Sequence, residues 1–378
     1  MAPSSYNGFY TYALAGLVVL STLYWNQYHA PEIVSHDFGA QLESPVDVII
    51  LGGSHAGLSA AATLYRHQLS TLIFDHQKPR NSWLTPMRVL SGWEGKNPDA
   101  LREKSRKEIA ATGFAKTLDK TIISVEKTNN TLFLVTDSEG GMWYGRKLLL
   151  AMGAEFVFPE IPGYAENFPK KIFHCMFTFG FEKRGSEHAG LLAKGSLSTV
   201  KHALMVAQDT LKFAKNLSIY TDSNPTLAAD LLSALASNSL SDSVDINDHS
   251  IKRLSSGGAS TISLSLGDET THTRDFLVHQ PLARPPPWIV QQLGLELDVM
   301  GNIKTNGFFY QTNVEGVFAA GDCASPFKII PNALLMGANA AAGVARELPR
   351  SVTGNGLRGF EGRERRGIWM RIAGLGGF

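Results

Sequence analysis

The chain has 378 residues, of which 44% are hydrophobic and 18% charged, and a formal net charge of +1. That length has room for two domains, the composition is that of an ordinary globular protein, and the charge gives no reason to invoke nucleic acid. The two cysteines, Cys175 and Cys323, exclude a disulfide framework, a thiolate zinc site and an internal Cys-x-x-Cys pair.

Residues 8–25 (GFYTYALAGLVVLSTLYW) form an uncharged run of 18 residues with aromatic side chains at both ends. This is the pattern of a short membrane-spanning helix with interfacial belts. No Lys or Arg precedes the run, as the charged region of a signal peptide requires. The reading is a single-pass N-terminal membrane anchor. A cleaved signal peptide leading into the secretory pathway, or a helix packed on the protein, are the alternatives. Residues 26–44 read as a polar linker. Residues 46–51 are an apolar run that fits a buried parallel strand, 57–67 follow a helical pattern, and 71–75 are the next strand, so a βαβ unit opens the fold. Residues 78–81 are a turn. Residues 97–112 predict a helix with Pro98 in its first turn. The segments 121–126, 131–136 and 142–150 read as a small meander with a hairpin turn at Gly140-Gly141, the last returning to the sheet.

Pro159 to Pro162 mark a crossing into a second domain, with a helix near 198–215, a strand at 217–220 and a helix near 226–237. Polar, glycine-containing chain follows around 255–261, and 280–287 (QPLARPPP) mark the return. The expected fold class is α/β: two Rossmann-like dinucleotide-binding domains, the second inserted in the first, behind an N-terminal hydrophobic helix. The divisions are 1–44 for anchor and linker, 45–158 and 280–350 for the two parts of an FAD-binding domain, and 159–279 for a degenerate NAD(P)-type domain. Residues 351–378, rich in Gly and Arg, read as a disordered tail.

Two distant segments point to one nucleotide site. The first, Gly52-Gly53-Ser54-His55-Ala56-Gly57, follows a strand and opens a helix, an arrangement that aims backbone N–H groups and a helix dipole at a diphosphate. Gly52 gives the tight turn and Gly57 the close helix–strand packing, while Ser54 stands where a middle glycine would let backbone approach the ligand. Asp75, about 20 residues on, is the candidate partner of a ribose. The second segment is a buried strand ending in Gly321-Asp322, which delivers a carboxylate to the same ligand. Together they indicate FAD. Pro331 to Ala333 open a helix whose N-terminus faces the flavin, where its positive dipole end favours an anionic ring.

These residues, with Lys78-Pro79-Arg80-Asn81, Ala151-Met152-Gly153, Ile161-Pro162-Gly163, the run His174 to Glu182 and Pro331 to Ala338, resemble the low-molecular-weight thioredoxin reductases over roughly residues 45–350. The resemblance is greatest to their fungal branch, which contains the gliotoxin-type dithiol oxidases. It implies that Arg80 and Asn81 form the adenosine loop and that the enzyme is commonly a homodimer. It further implies a role in fungal secondary-metabolite biosynthesis.

Two departures decide the expected chemistry. The relatives carry Cys-x-x-Cys where this chain reads Cys175-Met176-Phe177-Thr178, so no internal dithiol exchanges electrons with the flavin. A histidine of the relatives is here Phe179. In the second domain the turn Leu191 to Ser198 has a single glycine, and no Arg lies between Arg184 and Arg253 to clamp a 2′-phosphate. Weak or no NADPH binding is expected, and the resemblance to the gliotoxin-type oxidases implies molecular oxygen as acceptor. The candidate catalytic residues are His174, as a base near neutral pH, Thr178 and Cys175. The favoured reading is an FAD-dependent oxidase or dehydrogenase of a small, fairly apolar organic metabolite. A single-cysteine thiol oxidase using Cys175, and a flavoprotein that has lost catalysis, are the alternatives.

Overall fold

The computed structural model describes residues 45–81, 86–128, 132–236, 240–258 and 260–348. The expected anchor at 8–25 and the expected tail from 351 lie outside them. Among the described residues no helix is long and apolar enough to cross a membrane.

The first sheet grows from β1 (Val46–Leu51), whose Val48, Ile49 and Ile50 are wholly buried. It pairs in parallel with β2 (Thr71–Asp75) on one side and β6 (Met142–Leu150) on the other. Between β1 and β2 the chain forms α1 (His55–Leu64) and a 3-10 turn at Tyr65–His67. After β2 comes α2 (Pro98–Ala110), capped by the Asn97 side chain, which accepts from the Asp99 N–H at 2.9 Å. Then follow β3 (Ala115–Asp119), β4 (Ile122–Thr128) and β5 (Leu132–Asp137). The sheet order is β3-β2-β1-β6-β5-β4, parallel through β6 and antiparallel beyond it. The first half of β6 pairs with β5 and its last three residues pair in parallel with β17 (Val317–Ala319).

The chain leaves this sheet along β7 (Glu155–Val157) and returns along β16 (Leu282–Arg284), which pair antiparallel. Between them, after α3 (Tyr164–Asn167), β8 (Ile172–Phe173), β9 (Ser186–Leu192), β10 (Ala214–Tyr220), β11 (Val244–Asn247) and β15 (Phe276–Val278) form a wholly parallel sheet of order β11-β10-β9-β15-β8. The short α4 (Met176–Phe179) follows β8. One face of this sheet is covered by α5 (Val200–Thr210) and α6 (Pro225–Leu235) through Ala203, Val206, Ala207, Leu227 and Leu231. The other is covered by an antiparallel sheet of β12 (Ile251–Ser256), β13 (Ile262–Leu266) and β14 (Thr271–Arg274), through Leu254, Ile262 and Leu264 packed on Tyr220 and Leu277. The polar stretch around 255–261 is thus the connection of a hairpin. Past β16, α7 (Pro287–Leu293) and β17 lead to α8 (Ile330–Glu347). Helix α8 lies along α1, and Gly337 meets the Ala56 carbonyl so closely that a Cβ has no space there.

Candidate active site

The C-terminal ends of β1, β2, β6 and β17 and the N-terminal ends of α1 and α8 enclose a cavity of about 730 Å³, within the usual range for small-molecule sites. Of the expected residues, Gly52, Ser54, His55, Ala56, Asp75, Arg80, Asn81, Gly153, Asp322, Ala333, His174 and Thr178 line it. Gly57 and Cys175 do not.

The glycines shape one wall. Gly52 has φ +109°, and a Cβ on it would strike the Ala151 carbonyl; one on Gly57 would strike the Gly52 carbonyl, so Gly57 works from behind the wall. A Cβ on Gly53 would sit 2.7 Å from the Asp75 side chain, and one on Gly321 2.9 Å from the Ala56 methyl. Ser54 is the N-cap of α1, and no side chain caps the helix, so its first-turn N–H groups face the cavity without a protein acceptor.

The charged residues pair in ways the sequence did not disclose. Asp75 is buried, accepts the Gln77 N–H at 2.9 Å and is ion-paired with Arg106 of α2, which also donates to the Gly53 carbonyl at 3.1 Å. Arg80 pairs with Asp322 at 2.8 Å, donates to the Lys328 carbonyl at 3.1 Å and lies 5.1 Å over the Phe156 ring. Lys328 donates to Asn302 Oδ1 at 2.9 Å and to the Asp322 and Ser325 carbonyls at 2.7 Å, and burial holds its pKa below the usual lysine value. Asn81 accepts from Arg102 of α2 at 2.9 Å. His55 is buried, with its pKa pushed down to about 4 by burial and by Arg102.

At the far end stand His174 and Thr178. The His174 ring sits among Phe156, Phe168 and Phe179, at centroid distances of 5.5, 5.6 and 5.3 Å. Burial, and then the Arg80 charge, lower its pKa to about 3. The imidazole is therefore neutral at pH 7, a hydrogen-bonding and packing group at this end of the cavity. Phe179 stacks on Phe173 with centroids 4.9 Å apart. Cys175 is half-buried as the N-cap of α4. Cys323 is buried against the Leu150 and Ala320 carbonyls, its thiol pushed up to about 11 first by burial and then by Asp322.

In the second sheet, charged residues follow β9 and β10. There Lys194 Nζ lies 2.5 Å from Asp222 Oδ2, while Asp222 Oδ1 accepts the Ile251 N–H at 2.6 Å. A 3-10 turn, Gly195–Leu197, replaces a glycine-rich approach to α5.

The profile described as "Pyridine nucleotide-disulphide oxidoreductase" spans residues 46–337, most of the chain. The chain belongs to this family. As a pyridine nucleotide-disulphide oxidoreductase it is an FAD-dependent enzyme, and the wall of Gly52, Gly53 and Gly321, each with no space for a Cβ, beside the open end of α1, fits that cofactor. The oxidoreductase is 35% identical over 297 residues to "Thioredoxin reductase tcpT" of Claviceps purpurea, covering 77% of this chain and 91% of that one. It is 36% identical over 312 residues to "Thioredoxin reductase sirT" of Leptosphaeria maculans, covering 81% and 95%. Among solved structures, an oxidoreductase from Agrobacterium tumefaciens superposes with a TM-score of 0.70 at 28% identity, covering 80% of this chain and 98% of that one.

Proposed function

We propose that this FAD-dependent enzyme is an oxidase or dehydrogenase of a small, fairly apolar organic metabolite, with molecular oxygen as acceptor, in fungal secondary metabolism. The observation that carries the reading is Thr178 on the cavity wall, with Cys175 outside it. A threonine forms neither a disulfide nor a thiolate, so the segment that holds a dithiol in the relatives it resembles offers no sulfur to the cavity. Bound FAD supplies a two-electron acceptor. The chain's own residues exclude water and orient the substrate: Phe156, Phe158 and Trp288 give an apolar wall, the neutral His174 ring and the Thr178 hydroxyl offer hydrogen bonds, and Arg80 and Arg88 are each paired with a carboxylate, Asp322 and Glu182. Lys194 is taken up in an ion pair with Asp222, and no arginine lies between Arg184 and Arg253, which supports weak NADPH use. We further propose that residues 8–25 anchor the enzyme to a membrane and that it works as a homodimer.

The relatives' printed names favour a second reading, a thiol–disulfide enzyme acting through Cys175. An anaerobic absorption spectrum of the full chain, before and after NADPH, separates the two. Flavin bands that persist with NADPH and return in air after substrate reduction support the oxidase. Rapid bleaching by NADPH sinks it in favour of a reductase. Folded protein without flavin bands sinks both.

A further inference from the structure

Behind the cavity wall lies a charge that the cavity itself does not explain. Arg102 of α2 is 2% exposed, yet the carboxylate it pairs with among the described residues, Asp99, has a side chain 68% exposed. A water-screened carboxylate offsets little of the desolvation cost of a buried guanidinium. Its other hydrogen-bond partners are neutral: Asn81 Oδ1 at 2.9 Å and His55 Nε2 at 3.4 Å. A buried cation with one exposed carboxylate and two neutral partners gains from an anion nearby.

Its two neutral partners both line the cavity, beside the uncapped first turn of α1. Arginine has donors only, so each contact fixes its partner. Asn81 must turn its carbonyl oxygen to Arg102, which leaves its amide N–H groups, with no acceptor among the described residues, for a ligand. His55 must accept at Nε2, which puts its proton on Nδ1, and the proximity of Arg102 helps keep the ring neutral. Arg102 thus converts two side chains of ambiguous polarity into donors and adds a positive charge behind the helix dipole.

We propose that Arg102 is a positioning residue for the diphosphate of the bound dinucleotide, acting through Asn81 and His55 rather than by contact. The inference rests on FAD occupying this cavity. Its test is a titration of flavin-stripped full-length protein with FAD, followed by flavin fluorescence, with ADP and adenosine as competitors. Arg102→Gln is expected to raise the Kd for FAD and for ADP about tenfold, the loss of one charge-assisted interaction, and to leave adenosine unchanged. Arg102→Lys, which keeps the charge but not the fork, is expected to fall between. Asn81→Asp places a carboxylate on Arg102 and is expected to mimic Arg102→Gln; it carries the test if Arg102→Gln does not fold. Equal losses for ADP and adenosine mark a merely structural role and overturn the proposal, as does an unchanged Kd for FAD. Wild-type protein that binds no FAD overturns the cofactor assignment and this inference with it.

Discussion

In the proposed reading the residue that sets the chemistry is Thr178. It follows Cys175 by three positions, across the short helix α4. Because the two positions keep the spacing of the cysteine pair in the relatives the chain resembles, Thr178→Cys is expected to form a bridge with Cys175. The check is a thiol titration of unfolded, non-reduced protein. Wild type should show two thiols and the variant only that of Cys323, whose buried, raised-pKa sulfur takes no part in exchange. Three titratable thiols in the variant would mean that α4 does not hold the two positions in bridging geometry. Cys175→Ser should leave metabolite oxidation within about twofold of wild type, since Cys175 does not line the cavity; complete loss of turnover would favour thiol chemistry.

At the level of elements, the site depends on how closely α1 and α8 approach. Both helices give the cavity an N-terminal end, through Ala56 and Ala333, and Gly337 lets their backbones meet. Gly337→Ala must push the helices apart, and a destabilisation of about 1–3 kcal/mol is expected, as for other overpacked contacts. Chemical denaturation checks this; a midpoint unchanged from wild type would show that the interface relaxes freely. The elements read correctly from sequence were those whose signal is local. Residues 46–51 and 71–75 are apolar because parallel strands are covered on both faces, and Asn97-Pro98 announces α2 by capping chemistry. The strands β3, β12, β13 and β14 escaped because their runs are short and largely polar: THTR is polar throughout, and ISLSL alternates over only five residues beside glycine-containing chain. Arg102 and Arg106 escaped for a different reason. In sequence they are two of many charges on a polar helix, and only the docking of α2 against Asp75 and Asn81 gives them partners.

At the scale of the molecule, two features tie the halves together and set their tolerance to acid. Arg88, at the cavity wall, donates to Glu182 in the turn after α4 at 2.5 Å, linking the 86–96 segment to the inserted part of the chain. Such a half-exposed pair contributes only about 0.2–1 kcal/mol, so Arg88→Ala should barely move the melting temperature while speeding hydrogen exchange in both segments; equal exchange would show that the pair holds nothing. Acid acts more broadly. His55, His174 and His279 have pKa values lowered to about 4, 3 and 4, each chiefly by burial. Unfolded, each titrates near 6.5. The unfolded state therefore binds more protons below that value, so these groups cost no stability above pH 6.5 and progressively more as pH falls towards 4. By pH 5 the loss is on the order of 1–2 kcal/mol per histidine, spread over both sheets: His55 on α1, His279 after β15 against Tyr164 at 2.6 Å, and His174 between them in its aromatic ring cluster. Melting temperature should fall steeply from pH 7 to 5. Replacing His174 by Phe, which suits its neighbours and cannot titrate, should flatten that fall by about a third of the three-histidine total. A melting curve indifferent to pH over this range, or a slope that His174→Phe leaves unchanged, would show that these imidazoles are protonated in the folded enzyme and that the cavity end around Thr178 is wetter than its aromatic lining implies.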